Sequence, residues 1–299
     1  MSYQVIKPFD PWRSPLCTCP IKWSLNPYTG CGHRCIYCYV TSYVPKHYVP
    51  RVKSNLIRRI LKDLRKIPRG AIISISNSSD PYTPPESKLE ITREILKILL
   101  KSGLKIQLIT KSDLILRDLD ILSKGIGRVV VAITITTLNK RLAKLIEPYA
   151  PPPLHRLKAI KLLSKKGIPV IARIDPIIPY INSDSDSIEE LVAEVAKAGV
   201  VQVTSSTYKA KYDNLSRIKK IFPYLAEKFD YIYKEKGMRV HGYMYLSRDH
   251  REKLLKVVKE AAEKWGLVFE TCREGLTHLN TPGFHCDGST FFFTPCNID

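Results

Sequence analysis

Residues 105–134 run Lys105-Ile-Gln-Leu-Ile-Thr110, Lys111-Ser112, Asp113-Leu-Ile-Leu-Arg-Asp-Leu-Asp-Ile-Leu-Ser123, then past Gly125 to Arg128-Val-Val-Val-Ala-Ile-Thr134. The first and last pieces are short apolar runs with β-branched residues, so each reads as a strand. Asp113–Ser123 reads as a helix. Glycine recurs where such helices would end, at Gly103, Gly125, Gly167 and Gly199, and suits the left-handed cap that closes a helix. Strands that are apolar along their length and alternate with helices indicate a parallel sheet covered by helices.

The same alternation extends in both directions. Trp23–Asn26, Ala71–Ser76, Ile168–Ile174 and Val200–Thr204 read as further strands. Leu89–Lys101, Leu138–Ile146, Pro153–Lys165 and Ser187–Ala198 read as helices, the middle two split by the stop Glu147-Pro-Tyr-Ala-Pro-Pro-Pro153. About six βα units result, too few for a closed eight-stranded barrel. An open (β/α)6 barrel of TIM type fits, as does a doubly wound sheet, and both place ligands at the C-terminal strand ends. The expected fold is the partial barrel with a C-terminal α/β extension. Its parts are an N-terminal extension over 1–22, a core over 23–211 and an extension over 212–299. In the last, Arg248–Trp265 reads as a long amphipathic helix and Leu267–Glu270 as a strand, before a tail containing cysteine, glycine and proline.

The 299 residues are 44% hydrophobic and 25% charged, as in an ordinary globular protein. The longest apolar runs are broken by charge and too short to span a bilayer, and Met1–Pro11 has no signal-peptide core; the expected setting is cytoplasmic, with no membrane partner. The formal net charge is +20. Lysine-rich surfaces occur in heat-adapted proteins, but those balance lysine with glutamate, and here the acids are short. Contact with nucleic acid, RNA or DNA, is the expectation. The excess charge is spread over Arg51–Arg69, Arg156–Lys166, Lys209–Lys220, Lys234–Arg239 and Arg248–Lys264, so it does not place the contact. Eight cysteines in such a compartment point to metal or redox use before disulfides.

Three of them stand in Asn26-Pro-Tyr-Thr-Gly-Cys31-Gly-His-Arg-Cys35-Ile-Tyr-Cys38-Tyr39, a glycine-containing loop after the first strand. Thiolates suit zinc, copper(I) and iron–sulfur clusters. Three local cysteines leave a four-iron, four-sulfur (4Fe–4S) cluster with one open iron. An amine and a carboxylate can bind there, and S-adenosylmethionine (SAM) carries both. Zinc completed by Cys17, Cys19 or His33, or three buried cysteines, is the competing reading. Lys111 follows a strand and sits where a SAM carboxylate wants a cation; it could equally be a surface lysine. Ser79 and Asp80 could serve the SAM amine or ribose, or form only the Ser-Ser-Asp-Pro turn. Thr134 and Thr136 could reach ribose hydroxyls, or reflect β-propensity alone. Arg173 could bind a carboxylate or pair with Asp175.

The Cys31–Cys38 loop resembles that of radical SAM enzymes, and in particular the group related to spore photoproduct lyase. Ser78-Ser79-Asp80-Pro81-Tyr82, Glu90-Ile-Thr92-Arg93, Ile109–Ser112, Leu116-Arg117-Asp118, Glu147–Pro151, Arg156-Leu157 and Ile174–Pro179 resemble that group's blocks in order, over roughly residues 24–205. The resemblance implies an enzyme of the radical SAM barrel type. It would cleave SAM reductively to a 5′-deoxyadenosyl radical, with Cys31, Cys35 and Cys38 as cluster ligands and an electron donor such as ferredoxin or flavodoxin. It implies Lys111 near the SAM carboxylate, Tyr37 against the adenine and Tyr39 in hydrogen-atom or electron relay; core packing is the plainer reading of both tyrosines. Where the lyases carry the cysteine that returns a hydrogen atom to product, this chain has Ser78. Its O–H bond is too strong for that donation, so the same repair reaction is not expected.

Cys17 and Cys19 before the core, and Cys272, Cys286 and Cys296 in the tail, could hold an auxiliary metal or cluster joining both ends of the chain, or could be buried packing cysteines. Cys272 or Cys286 could instead donate a hydrogen atom to a substrate radical. Three functions compete: a radical SAM enzyme on nucleic acid, one on a protein or metabolite, and a non-enzymatic, zinc-stapled nucleic-acid-binding protein.

Overall fold

The structure, a computed structural model, describes residues 5–9 and 14–292. Its main sheet has eight strands: β1 (Lys7–Pro8), β2 (Trp23–Leu25), β3 (Ile72–Ile75), β4 (Lys105–Thr110), β5 (Val129–Thr134), β6 (Val170–Ile177), β7 (Gln202–Thr207) and β8 (Val268–Thr271). Their spatial order is their chain order, and every pair except β1–β2 is parallel. A doubly wound sheet would reverse direction in mid-order. Sequential parallel strands with same-handed crossovers instead curl into an open barrel, so the strand order decides between the two expected architectures.

All six expected core strands are present, and the C-terminal extension adds β8 beside β7. The longer helices are α1 (Leu56–Leu64), α2 (Ile91–Lys101), α3 (Lys140–Ile146), α4 (Pro153–Ser164), α5 (Ser185–Lys197), α6 (Tyr212–Ile221) and α7 (Arg248–Lys264). Asp113–Ser123 departs from a plain α-helix, being 3-10 over Asp113–Asp118 and α only over Leu119–Ser123. Its first turn is held by side chains. Ser112 accepts from the Leu114 amide, and Arg117 is fixed to Glu86 and Asp118. No helix is long and apolar enough to cross a membrane among the described residues.

Strand parity separates two faces. Ile73, Ile75, Ile106, Leu108, Val131, Ile133, Val170, Ala172, Val203 and Phe269 belong to the main apolar core with the helices. Each large side chain of this kind contributes about 1.5–3 kcal/mol by burial. The alternate positions Gln107, Gln202 and Thr204 are buried but polar. The C-terminal tail accepts a hydrogen bond from each of them. Gln107 donates to the Asp287 carbonyl at 2.7 Å, Gln202 to the His285 carbonyl at 3.1 Å and Thr204 to the Cys286 carbonyl at 2.9 Å. Lys22 reaches both Gln107 and Asp287. Val130, Ala132 and Ile171 pack on Phe292. The tail thus lies against the concave face of the barrel.

Gly288 makes this close approach possible. Its φ is +73°, and a Cβ there would stand 1.8 Å from the Ile171 side chain. Gly288→Ala should therefore destabilise the protein by at least the 1–2 kcal/mol or so of a left-handed non-glycine residue, read as a lowered thermal midpoint. An unchanged midpoint would show that the tail does not pack in this register.

Candidate active site

Two short strands, Tyr28–Thr29 and Arg51–Val52, pair antiparallel and hold the ends of the cysteine loop together. Gly30, at φ +86°, lets the chain pass the His47 carbonyl, which a Cβ would meet at 2.5 Å. That carbonyl accepts the Cys31 amide at 2.7 Å. The loop's own carbonyls are tied from α6. Arg217 donates to Ile36 O at 3.0 Å and Cys38 O at 2.8 Å, and Asn214 donates to Tyr37 O at 3.0 Å. Tyr48 donates to Cys35 O at 3.2 Å. With these carbonyls held away, the three thiols are left to one another.

Burial pushes the Cys31 thiol up to about 12, with the Asp80 charge adding to it. Burial also raises Cys35 and Cys38, and Lys111 opposes the rise at both. Buried neutral thiols are a fitting donor set for a soft metal centre, whose binding would displace their protons. As they stand, no three His, Cys, Asp or Glu side chains among the described residues are drawn together closely enough to hold a metal ion. Cys31, Cys35 and Cys38 are thus not gathered on one ion, and a four-iron cluster, which takes each cysteine on a different iron, does not require them to be. His47, which sequence reading passed over, places Nε2 3.4 Å from the Cys38 sulfur. Burial and the nearby Arg217 and Arg51 lower its pKa to about 4, leaving a neutral ring at pH 7.

The expected SAM-side residues converge on this loop from the C-terminal strand ends. Lys111 follows β4 and lies with Nζ 5.6 Å over the Tyr37 ring. Burial works against its charge, but Cys35 and Glu147 outweigh it and keep its pKa raised. Tyr37 donates a very short hydrogen bond to Glu147. The same carboxylate accepts from Thr136 at 3.1 Å and pairs with Arg156 at 2.6 Å. Arg156 also donates to the Thr134 carbonyl at 3.0 Å. Burial would raise the Glu147 pKa; the Arg156 and Lys111 charges and the Tyr37 bond hold it below the usual value.

Asp80 accepts from Tyr82 N at 2.9 Å, Thr110 Oγ1 at 2.7 Å and Lys111 N at 2.8 Å, and faces His33 Nε2 at 3.3 Å. Ser79 donates to the Tyr28 carbonyl at 2.8 Å. Both side chains thus make the turn that positions Lys111. Arg173 pairs with Asp175 at 2.5 Å and stands beside Cys272. Tyr39 is edge-on to Tyr243 at 5.4 Å between centroids, with Cys38 and Cys272 both close enough to act on its hydroxyl. Cys286 touches Cys19, sulfur to sulfur, at 3.5 Å. Cys296 lies outside the described residues.

Glu147, Arg156, Asn214 and Arg217 were not among the expected site residues. Glu147 reads as part of a helix stop, and nothing in the 212–221 stretch announces that it faces a loop nearly 180 residues away. Arg217→Leu removes charge-assisted bonds worth about 1.5–3 kcal/mol each. Anaerobically prepared Arg217→Leu protein should retain severalfold less iron than wild type while remaining folded. Full iron retention would show that the clamp does not matter to the loop.

Residues 25–195 match the Radical SAM superfamily. An uncharacterized protein of Acidianus two-tailed virus is 30% identical over 217 residues, covering 67% of this chain and 71% of the relative. An uncharacterized protein of Methanocaldococcus jannaschii is 35% identical over 191 residues, 63% of this chain and 70% of the relative. Among solved structures, a spore photoproduct lyase mutant with bound AdoMet and dinucleoside spore photoproduct superposes with a TM-score of 0.67 at 16% identity, over 88% of this chain and 79% of that one. The shared barrel and the cysteine loop at its strand ends agree with the sequence match: the chain belongs to the radical SAM superfamily and is a radical SAM enzyme.

Proposed function

We propose that this enzyme directs its radical at a nucleic acid, modifying a base in RNA or repairing a lesion in DNA. The observation that carries this reading is a set of exposed tyrosines capped by cations around the cysteine loop. Lys211 lies over Tyr43 at 5.9 Å and over Tyr243 at 4.5 Å, with Tyr39 behind Tyr243. Arg34 and Lys144 cap Tyr149 at 4.9 and 5.6 Å. Arg239 caps Tyr212 at 5.7 Å. Aromatic faces beside basic groups stack bases while the cations hold phosphates. Two surface hollows repeat the theme, one lined by Arg58, Arg59, Lys62 and Arg65 and the other by Lys140, Arg141 and Lys144. The related lyase structure contains a dinucleoside lesion, which supports the same substrate class.

Cys31, Cys35 and Cys38 would hold the four-iron cluster, and SAM would take its open iron. When bound, the cluster supplies the electron that breaks a sulfonium C–S bond and releases the 5′-deoxyadenosyl radical. The electron comes from a donor such as ferredoxin or flavodoxin. The chain's own residues then do three things. Lys111, kept charged by Cys35 and Glu147, receives the SAM carboxylate. Tyr37, fixed through Glu147, Arg156 and Thr136, offers its ring to the adenine. Thr134 is left for the ribose, because the Thr136 hydroxyl is held by Glu147, while Ser79 and Asp80 are taken up by bonds to the Tyr28 carbonyl and the Lys111 amide. The buried surroundings of Tyr37 and Lys111 limit water at the reacting atoms.

Tyr39 is the proposed relay, since it spans the interval between the cysteine loop and the tail. Ser78 places its amide on Asn26 Oδ1 at 3.0 Å, in a turn that carries no thiol, so a lyase-type cysteine return is not proposed.

The test is binding of tRNA, single-stranded DNA and duplex DNA across salt concentration. Neutralising several phosphates gives a steep fall of log K with log salt, with a slope of about −0.7 to −0.9 per contact. Lys211→Glu should weaken binding at least severalfold. Cells lacking the protein should also lose a modified nucleoside or accumulate a lesion, by mass spectrometry. No affinity for any nucleic acid at low salt would shift the reading to a protein or metabolite substrate.

A further inference from the structure

Four of the described cysteines lie apart from the Cys31–Cys38 loop and have no part in the chemistry above. Cys17 and Cys19 lie in the segment between β1 and β2, at one edge of the sheet. Cys272 directly follows β8, the opposite edge, and Cys286 sits in the tail against the concave face. We propose that Cys17, Cys19, Cys272 and Cys286 hold a single tetrahedral zinc ion that staples the two ends of the chain across the open seam of the barrel.

The thiols form one contiguous group. Cys19 and Cys286 approach to 3.5 Å between sulfurs. Cys17 lies two residues from Cys19, and Cys272 stands close enough to Cys286 and to Cys17 for its charge to act on both thiols. All four are free thiols, and 3.5 Å is a contact rather than a bond of about 2.05 Å. The spacing selects the metal. A tetrahedron with zinc–sulfur bonds of about 2.3 Å has sulfur–sulfur edges of about 3.8 Å. A four-iron cluster puts each cysteine on a different iron and so spreads the sulfurs much farther apart. The pair in contact, Cys19 and Cys286, already stands within one such edge, which suits one ion, and Cys17 and Cys272 have to turn in to complete the tetrahedron.

The surroundings suit a tetrathiolate, which carries a net charge of −2. The Lys22 charge acts on Cys19 and the Arg173 charge on Cys272. Each cation also has a carboxylate partner, Asp287 for Lys22 at 2.5 Å and Asp175 for Arg173, and Glu270 lies near Asp287, pushed up to about 8 by burial and by that charge. The backbone around the ligands is fixed. Cys17 N donates to Ser14 O at 3.0 Å, Cys272 N to Ser205 O at 2.9 Å, and Cys286 O accepts from Thr204 at 2.9 Å. Only side-chain rotation is asked for. On binding, four zinc–sulfur bonds form, and each thiol still protonated gives its proton to solvent.

The staple also explains how a sheet with two free edges is closed. Leu16 already packs where a Cβ on Gly275 would stand, at 2.9 Å, so the N-terminal and tail segments meet beside the thiols. With four zinc bonds made, Cys272 and Cys286 have no hydrogen atom to donate, which leaves Tyr39 as the relay. The inference rests on none of the radical chemistry.

Zinc and iron are measured on full-length, anaerobically prepared protein. Wild type is compared with a Cys31→Ala/Cys35→Ala/Cys38→Ala variant and a Cys19→Ser/Cys286→Ser variant. About one zinc per chain should survive loss of the loop cysteines, while the second variant loses zinc and keeps iron. Zinc that disappears with the loop cysteines, no zinc at all, or iron and sulfide retained by the loop variant would each overturn the proposal. Because loss of the staple can itself unfold the chain, cobalt(II) is also added to the metal-free loop variant. Intense visible bands with a thiolate-to-cobalt charge-transfer band are expected; weak octahedral bands, or no binding, would contradict a tetrahedral tetrathiolate.

Discussion

The carboxylate of Glu147 is the junction on which the site depends. It is buried, and a buried charge persists only when it is paired and hydrogen-bonded. Tyr37 from the cysteine loop and Thr136 from just beyond β5 donate to its Oε1, and Arg156 from α4 pairs with its Oε2. Removing Arg156 alone would strand that charge at a cost of about 3–5 kcal/mol. The same carboxylate helps keep Lys111 protonated against its own burial. One acidic side chain thereby fixes the aromatic ring beside the thiols and sustains the cation that faces them.

The loop is equally dependent on residues far along the chain. Asn214 and Arg217 take up the carbonyls of Ile36, Tyr37 and Cys38, so the backbone's acceptors point away from the sulfurs. Buried Glu274 anchors the region that follows α6 by pairing with Lys209 and Arg251 and accepting the Thr207 amide. The tail then occupies the concave face that an open barrel would leave to water. Membership of the superfamily removes the non-enzymatic reading.

Much of this was legible in the sequence. The strands from Ala71 to Thr204 declared themselves because their helix-facing positions are mostly isoleucine, leucine and valine. The loop declared itself by three cysteines in eight residues, and Lys111 by following a strand directly. What stayed hidden is long-range. α1 lies in a stretch whose evident signal is charge, because Arg58, Arg59 and Lys62 mask the two buried apolar residues Leu56 and Ile60. Gly288 looks like one more tail glycine until Ile171 is placed against it. Glu147 ends a helix, as its prolines suggest, and only the fold brings Tyr37 and Arg156 to it. Asp80 was read as a cofactor contact or a turn residue, and its four protein partners show how completely the turn uses it.

The most direct test is electron paramagnetic resonance of the reduced, anaerobically reconstituted protein, recorded with and without SAM alongside the assay for 5′-deoxyadenosine. The expected result is a four-iron signal that SAM perturbs, with 5′-deoxyadenosine formed by wild type and none by Cys35→Ala. A signal indifferent to SAM, or undiminished SAM cleavage by Cys35→Ala, would contradict the assignment of Cys31, Cys35 and Cys38 as the ligands of an open-iron cluster.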